Sequence, residues 1–214
     1  MIFNDRIDAA RQLADALAAQ RGSHPLVLAI PRGAVPMGAA IAEALEGELD
    51  VVLVHKLGSQ WNPEYAVGAI DEQGRSIVTD PVHGGEDWLA REKARQFETL
   101  KRRRALYSPG LPPAVARDRV VIVVDDGLAT GATMMAALRS LREDRPARLI
   151  CAVPVAARSS LKAVEALADE VVCLYAPADF RAVGQFYGHF GQVEDEEVVA
   201  ALARDRARRA AGKP

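Results

Sequence analysis

One segment of the chain, residues 119–141, constrains the fold more than any other part of the sequence. It reads RVVIVVDDGLATGATMMAALRSL: an apolar run, two adjacent acids, a loop of Gly, Ala and Thr, and a helical stretch. A buried strand that leads through a short loop into a helix is the repeating unit of sheets whose parallel strands are joined by right-handed crossovers. Ligands of such sheets bind at the carboxyl ends of the strands, where the two acids stand.

Further apolar runs alternate with helical segments along the chain. They predict strands at residues 26–30, 50–55, 148–154 and 170–174 and helices at 5–20, 39–47, 159–167 and 195–209, with Asn4 as the first N-cap. We therefore predict an α/β fold. It is a doubly wound sheet of about five parallel strands flanked by helices, with a small hood formed by a C-terminal lobe.

An excursion interrupts this alternation after the second strand. Residues 66–78 predict two short strands around a turn, and residues 86–107 predict a long, charged helix. We expect a single domain over residues 1–214, with a core at about 22–176, a helical excursion at 81–117, and a hood from 177–200 plus the N-terminal helix. Arginines 102–104 form a basic patch, which we interpret as a solvated helix face rather than a nucleic-acid site.

Composition excludes several classes of protein. Half of the residues are hydrophobic and 26% are charged, which is typical of a globular chain. The 27 Lys and Arg against 29 Asp and Glu leave a net charge of -2, so no global basic field attracts nucleic acid. No apolar run approaches the roughly 18 residues of a membrane span, and the N-terminus lacks a signal core. We expect a cytoplasmic homo-oligomer, a dimer, without a nucleic-acid or membrane partner.

The loop that follows the two acids has the composition of a phosphate site. Loops between a strand and a helix N-terminus present unpaired backbone N–H groups and the positive end of the helix dipole. The candidate phosphate-binding residues are Ala129, Thr130, Gly131, Ala132 and Thr133, where small side chains leave the backbone accessible and two hydroxyls can donate. The loop is not a Walker A motif, since Ala132 stands where that motif has Lys.

Asp125 and Asp126 need a partner other than the phosphate, because two carboxylates repel an anion a few ångströms away. Ionised carboxylates only accept hydrogen bonds, and a ribose offers two adjacent hydroxyl donors near its own 5′-phosphate. The acid pair and the loop together therefore indicate recognition of a ribose 5-phosphate group. The alternative is structural: Asp126 or Thr130 caps the following helix with no ligand present.

The run VVIVVDDGLATGAT resembles the phosphoribosyl pyrophosphate (PRPP) motif of the type I phosphoribosyltransferases. The resemblance implies that Asp125 and Asp126 bind the ribose hydroxyls and that residues 129–133 bind the 5′-phosphate. It also implies a Mg²⁺ cofactor, which Asp125 and Asp126 hold largely through PRPP oxygens. The implied reaction transfers the 5-phosphoribosyl group to a small nitrogenous acceptor, such as a nucleobase, and releases pyrophosphate.

Nearly the whole chain is also similar to a group of bacterial predicted phosphoribosyltransferases. The shared segments are FNDRIDA at 3–9, KLGSQWNPE at 56–64 and AVGQFYGHFGQV at 182–193. This resemblance implies a class of protein and leaves the acceptor unnamed.

Two further segments match pyrophosphate-binding regions of the family. Arg32 and Gly33 follow the first strand, and Lys56 ends the predicted second strand. The resemblance assigns all three to pyrophosphate, whereas the alternatives are a simple turn with Arg32 in a surface ion pair and a solvated Lys56. The loop at 57–64 would form a lid that excludes water. Its Glu64 is a candidate acid or base, or else an exposed carboxylate.

Four aromatic residues cluster near the C-terminus: Phe180, Phe186, Tyr187 and Phe190. In the family this region covers the acceptor, so Phe186 or Tyr187 could stack on a planar base, with a small satellite core as the alternative. Relatives that act on 6-oxopurines carry a carboxylate where this chain has Ala129, which disfavours hypoxanthine or guanine. Besides a transferase, the sequence leaves open a non-catalytic PRPP or nucleotide sensor and, more remotely, a nucleotide hydrolase.

Overall fold

The computed structural model describes residues 3–61, 66–79 and 85–212. In chain order the elements are α1 (Arg6–Ala16), β1 (Leu26–Ala29), α2 (Val35–Ala44), β2 (Glu48–Val51), β3 (Val54–Gly58), β4 (Ala66–Asp71), β5 (Ser76–Val78), α3 (Gly85–Tyr107), β6 (Val120–Val124), α4 (Ala132–Glu143), β7 (Arg148–Val155), α5 (Arg158–Glu165), β8 (Glu170–Tyr175) and α6 (Asp195–Ala211). Among the described residues, no helix combines the length and apolar character that crossing a membrane requires.

Five of the strands form a sheet with the order β2-β1-β6-β7-β8, in which every pair is parallel. The chain leaves β1 toward β2 on one side and later enters β6 on the other, which places a topological switch point between β1 and β6. Their register pairs Ala29 with Val124, the last residue of each strand. The predicted doubly wound parallel sheet is confirmed, and the loops that follow β1 and β6 start side by side.

Helices cover both faces of this sheet because alternate strand residues point to opposite sides. Core residues of α1, α2 and α6 pack with Val27 and Ile122 on one face, and those of α4 and α5 pack with Leu28 and Val123 on the other. In β6, residues 121–124 are all 0% exposed. The two acids therefore follow directly after the fully buried part of β6.

The predicted second strand, residues 50–55, is divided in the structure. Strand β2 ends at Val51, and the chain continues as β3, which pairs antiparallel with β4 in the three-stranded sheet β3-β4-β5. A strand continues only while its neighbour offers backbone partners, and β1 ends at Ala29, whose carbonyl accepts the Val52 N–H at 3.1 Å. The prediction that Lys56 ends a strand of the main sheet is therefore wrong.

The first helix is shorter than predicted and has a different cap. The carboxylate of Asp5 accepts the backbone N–H of Asp8 at 2.8 Å, so Asp5 rather than Asn4 is the N-cap of α1. Helix α1 ends at Ala16 and is followed by a 3₁₀ turn at Ala18–Gln20. A side-chain cap satisfies one free N–H of the first turn, and Asn4 stands one residue too early for this role.

The excursion contains the predicted hairpin, as β4 and β5, and the predicted charged helix, as α3. One of the three arginines of the basic patch is not solvated. Arg104 is 9% exposed and donates to Asp50 at 2.7 Å and to Glu72 at 2.7 and 2.5 Å. Burial raises the pKa of Glu72, although the Arg104 cation acts against this shift. Arg104 thus ties α3 to β2 and to the β4-β5 turn.

Candidate functional site

Two loops meet at the carboxyl edge of the five-stranded sheet. One joins β1 to α2 and contains Arg32, whose peptide bond to the preceding residue is cis, and Gly33. The other joins β6 to α4 and begins with Asp125 and Asp126. A Cβ atom on Gly33 would lie 2.3 Å from Asp126 Oδ2, so only glycine allows the contact. The structure therefore brings the predicted pyrophosphate loop against the predicted ribose-binding acids.

Asp125 and Asp126 occupy the first two positions after β6. Asp125 is partly buried, and its Oδ1 accepts the backbone N–H of Asp126 at 2.9 Å. Burial raises the pKa of Asp125 well above its usual value, the negative charge of Asp126 adds to the shift, and the guanidinium of Arg6 opposes it. Two adjacent carboxyl groups form an acceptor-rich site that suits hydroxyl donors or a divalent cation.

Arg6 lies at this site, and the local sequence pattern did not single it out. Its Nε and Nη2 donate to Asp126 Oδ2 at 3.0 and 2.9 Å, and its Nη1 donates to the Gly191 carbonyl at 2.7 Å. The guanidinium carbon lies 3.9 Å from the centre of the Phe190 ring. Arg6 and Asp126 are 120 positions apart, so no spacing rule could pair them. The one available signal was the place of Arg6 in the segment at 3–9.

The loop after the acids is anchored to the neighbouring βα connection. Leu128 forms a parallel bridge with Ala156, and the Ser160 hydroxyl donates to the Ala129 carbonyl at 2.6 Å. A Cβ atom on Gly127 would lie 2.7 Å from a methyl carbon of Val183. These contacts fix the loop backbone before any ligand binds, which is what a preorganised phosphate site requires.

The predicted phosphate-binding residues surround the N-terminus of α4. Gly131 is the N-cap residue and has φ 72°, a conformation that glycine adopts more readily than other residues. Thr130 and Thr133 are exposed, and the Thr130 hydroxyl accepts a long hydrogen bond of 3.4 Å from the Ala132 N–H. The alternative in which Asp126 caps this helix is wrong, because its carboxylate pairs with Arg6. The phosphate role of the loop stays a prediction.

Arg32 extends from its loop toward the start of α6. Its Nη1 lies 3.2 Å from Glu194 Oε2 and 4.0 Å from Asp195 Oδ1. The side chain of Arg32 is 35% exposed, and that of Glu194 is 55% exposed. The structure thus shows Arg32 in a surface ion pair, the alternative left open by the sequence, at a position adjoining the acid pair.

Lys56 lies on β3, outside the five-stranded sheet. It lines a cavity of about 680 Å³ between the three-stranded sheet and α4, together with Ala132, the first residue of α4. Arg32 and Gly33 do not line this cavity, so the structure places Lys56 beside the predicted phosphate loop rather than beside the predicted pyrophosphate loop. Glu64 lies outside the described residues, and its predicted acid or base role stays a prediction.

Phe186 and Tyr187 are each only 6% exposed. The Tyr187 ring lies 5.5 Å from that of Phe3, and its hydroxyl donates to the Asp126 carbonyl at 2.6 Å. Burial raises the pKa of Tyr187, which keeps this hydroxyl a donor. The two rings therefore pack as a small satellite core, the alternative to stacking on a base. Phe190 is 40% exposed, and its ring contacts both the Arg6 guanidinium and the Tyr187 ring, whose centre is 4.9 Å away.

Comparison with known proteins agrees with this geometry. The family model for the phosphoribosyl transferase domain matches residues 2–187. Two Mycobacterium tuberculosis proteins, named "Putative phosphoribosyl transferase Rv0571c" and "Putative phosphoribosyl transferase MT0597", are each 42% identical to this chain over 212 residues. The match covers 97% of this chain and 47% of each relative, so the chain spans about half of their length. The crystal structure of TT1426 from Thermus thermophilus is 44% identical, with a TM-score of 0.87 over 95% of this chain and 99% of that one. This chain belongs to the phosphoribosyl transferase domain family.

Proposed function

We propose that the protein transfers the 5-phosphoribosyl group of PRPP to a nitrogenous acceptor and releases pyrophosphate. One observation carries the proposal: the acid pair, the small-residue loop and the Gly33 loop converge at the switch point of the sheet, with Gly33 in contact with Asp126. Ribose hydroxyls, a 5′-phosphate and a pyrophosphate are the three groups that such an arrangement can bind at once.

The ribose 5-phosphate half of PRPP is assigned to the loop after β6. Residues 129–133 offer backbone N–H groups at the N-terminus of α4, where the helix dipole favours an anion. Asp125 and Asp126 accept hydrogen bonds from the two ribose hydroxyls. The Ser160 hydroxyl acts through the backbone, since it holds the Ala129 carbonyl.

The pyrophosphate half is assigned to the loop after β1. There Gly33 leaves room for close approach, and Arg32 supplies positive charge. Arg32 can exchange Glu194 for pyrophosphate at little cost, because exposed ion pairs contribute no more than about 1 kcal/mol. Lys56 adds positive charge from the cavity that it shares with Ala132, and Glu64 keeps its proposed role as an acid or base in the lid.

Magnesium fits the donor set if the substrate supplies most of the ligands. Within the described ranges, no group of three or more His, Cys, Asp or Glu side chains could hold a metal ion. Mg²⁺ needs few protein ligands, and Asp125 and Asp126 would hold it together with PRPP oxygens. When bound, it offsets the negative charge that develops on the departing pyrophosphate.

The acceptor is assigned to the part of the site where the hood meets the acid pair. Phe190 offers a partly exposed ring there, so we propose Phe190 in place of Phe186 or Tyr187 as the residue that contacts a planar base. Ala129 supplies no carboxylate in the phosphate loop, so a 6-oxopurine is not the favoured acceptor.

The test is PRPP consumption with Mg²⁺ and a panel of nucleobases, measured as pyrophosphate release, together with calorimetric PRPP binding. We expect turnover with at least one base, and loss of PRPP binding in the double variant Asp125→Asn/Asp126→Asn. Glu165→Gln, which removes an exposed carboxylate on α5, is the control and should bind as the wild type does. Tight PRPP binding without turnover on any base would instead support a non-catalytic sensor. Full affinity in the double variant would refute the site.

A further inference from the structure

The guanidinium of Arg6 has two hydrogen-bond partners and one aromatic ring in contact with it. Two of its nitrogens donate to one oxygen, Oδ2 of Asp126, a third donates to the Gly191 carbonyl, and the Phe190 ring stacks against it. Its side chain is 13% exposed. A partly buried arginine that is bonded in this way has one orientation, and so do the groups that it holds.

The contact with Asp126 is one-sided. Both donated hydrogen bonds end on Oδ2, and the Gly33 backbone packs against the same oxygen. None of the hydrogen bonds that the structure describes reaches Asp126 Oδ1. Arg6 and Gly33 therefore fix the carboxylate from one side and leave Oδ1 as the oxygen available to a ligand.

Arg6 also offsets the charge of the acid pair. Among the described residues, Asp125, Arg6 and the Tyr187 hydroxyl each share a hydrogen bond with Asp126, and Arg6 is the cation that pairs with its carboxylate. A polyanionic substrate approaches two carboxylates more easily when one of them is paired, because like charges a few ångströms apart repel strongly at low effective dielectric.

The same guanidinium connects the acid pair to the hood. Gly191 and Phe190 follow a segment that pairs with the N-terminal residues: Phe3 N–H donates to the Phe186 carbonyl at 2.7 Å, and His189 N–H donates to the Asn4 carbonyl at 2.8 Å. Arg6 begins the helix that follows this N-terminal segment. The hood therefore reaches Asp126 in two ways: directly through the Tyr187 hydroxyl, and through Arg6 of the N-terminal helix.

We propose that Arg6 is a positioning residue for ribose recognition. It holds Asp126 with Oδ1 available to a sugar hydroxyl, and it holds the hood in place beside that carboxylate. The inference rests on the proposed function, because it takes Asp126 as a ribose ligand. Arg6 itself does not touch the substrate.

The test compares two ligands that differ only in the diol, ribose 5-phosphate and 2,3-dideoxyribose 5-phosphate, by calorimetry. The wild type should prefer ribose 5-phosphate. In Arg6→Gln this preference should fall about tenfold, the loss expected for one charge-assisted hydrogen bond, with the affinity for the dideoxy ligand unchanged. Arg6→Lys keeps the charge but cannot offer two donors in a fixed plane. Its preference for ribose 5-phosphate should therefore lie between those of the wild type and Arg6→Gln. Arg11→Gln, on the exposed side of the same helix, should equal the wild type.

Three results would overturn the inference. Equal weakening of both ligands in Arg6→Gln, with a lower melting temperature, would show a purely structural role. An unchanged preference in both Arg6 variants would show no role at all; Arg6→Lys decides this if Arg6→Gln fails to fold. A wild type that does not distinguish the two ligands would refute the ribose site itself, and thus the proposed function, rather than the role of Arg6 within it.

Discussion

Gly33 and Asp126 lie so close that the hydrogen of the glycine is the largest substituent that the site accepts: a Cβ atom would stand 2.3 Å from the carboxylate oxygen that Arg6 binds. The two residues belong to loops that follow neighbouring parallel strands. Their contact makes the loop after β1 and the acid pair a single packed unit, so a change in one should displace the other.

Gly33→Ala should therefore reduce both stability and ligand binding. The added methyl group has to push the loop away from Asp126, and overpacking of this kind costs about 1–3 kcal/mol. We expect a lower free energy of unfolding in urea and PRPP affinity reduced by about tenfold or more, measured by calorimetry. Gly212→Ala is the matched control, because a Cβ atom there meets only ordinary van der Waals contacts, at 3.6 Å or more, away from the site. Wild-type affinity in Gly33→Ala would contradict the proposed unit.

Gly131→Ala tests the phosphate loop. Gly131 has φ 72°, and alanine in this conformation costs about 1–2 kcal/mol. Gly22 has φ 82°, with nothing within 4 Å of a Cβ atom, so Gly22→Ala carries the same kind of strain away from the site. Gly131→Ala should lose at least as much stability as Gly22→Ala, because its Cβ atom would also lie 3.3 Å from Ser160 Cβ, and only Gly131→Ala should bind ribose 5-phosphate more weakly. Equal affinity in the two variants would place the phosphate elsewhere.

Asp125 should make the protein less stable as the pH rises. Its folded-state pKa is raised well above the unfolded value, chiefly by burial, so the fold favours the protonated carboxyl. Below the unfolded pKa of about 3.9 the carboxyl is protonated in both the folded and the unfolded state. As the pH rises through the folded pKa, ionisation favours the unfolded chain, by about 1.4 kcal/mol for each unit of difference between the folded and unfolded pKa values. Asp125→Asn should therefore melt at a higher temperature than the wild type at pH 7 and at a similar temperature near pH 3.

Asp169 provides the control of opposite sign for that titration. Hydrogen bonds from Arg142 lower the pKa of Asp169, so its stabilisation is present above the unfolded pKa and is lost as the pH falls. Asp169→Asn should thus be less stable than the wild type at pH 7. Identical melting temperatures of Asp125→Asn and the wild type across the whole pH range would show that Asp125 is not perturbed.

Arg104→Ala should destabilise the protein strongly. The substitution leaves Asp50 and Glu72 buried without their cation, and breaking a buried pair in this way costs about 3–5 kcal/mol. Arg103→Ala, an exposed neighbour on α3, should change stability by less than about 0.5 kcal/mol. Urea unfolding of the two variants measures the difference, and a similar small loss in both would show that the buried network is not needed.

Much of the fold could be predicted because it depends on local pattern. Apolar runs such as residues 120–124, each followed by a turn and a helix, permit little other than parallel strands with crossovers. The positions of Asp125, Asp126 and the Gly131 loop follow from the same pattern, since carboxyl ends of neighbouring parallel strands share one edge of the sheet. Local composition also indicated the diol and phosphate chemistry, through the kinds of residues that stand there.

What the tertiary structure decided depends on partners that are distant in sequence. The run at 50–55 is apolar throughout most of its length, but β2 ends at Val51 because the neighbouring strand ends. Phe186 and Tyr187 look suited to stack on a base, but the Tyr187 ring packs against Phe3 and the Phe186 ring packs against Tyr175 and Phe180. Arg6 reaches Asp126 across 120 positions. Periodicity and spacing describe what one segment prefers, whereas these outcomes depend on which segments the folded chain brings into contact.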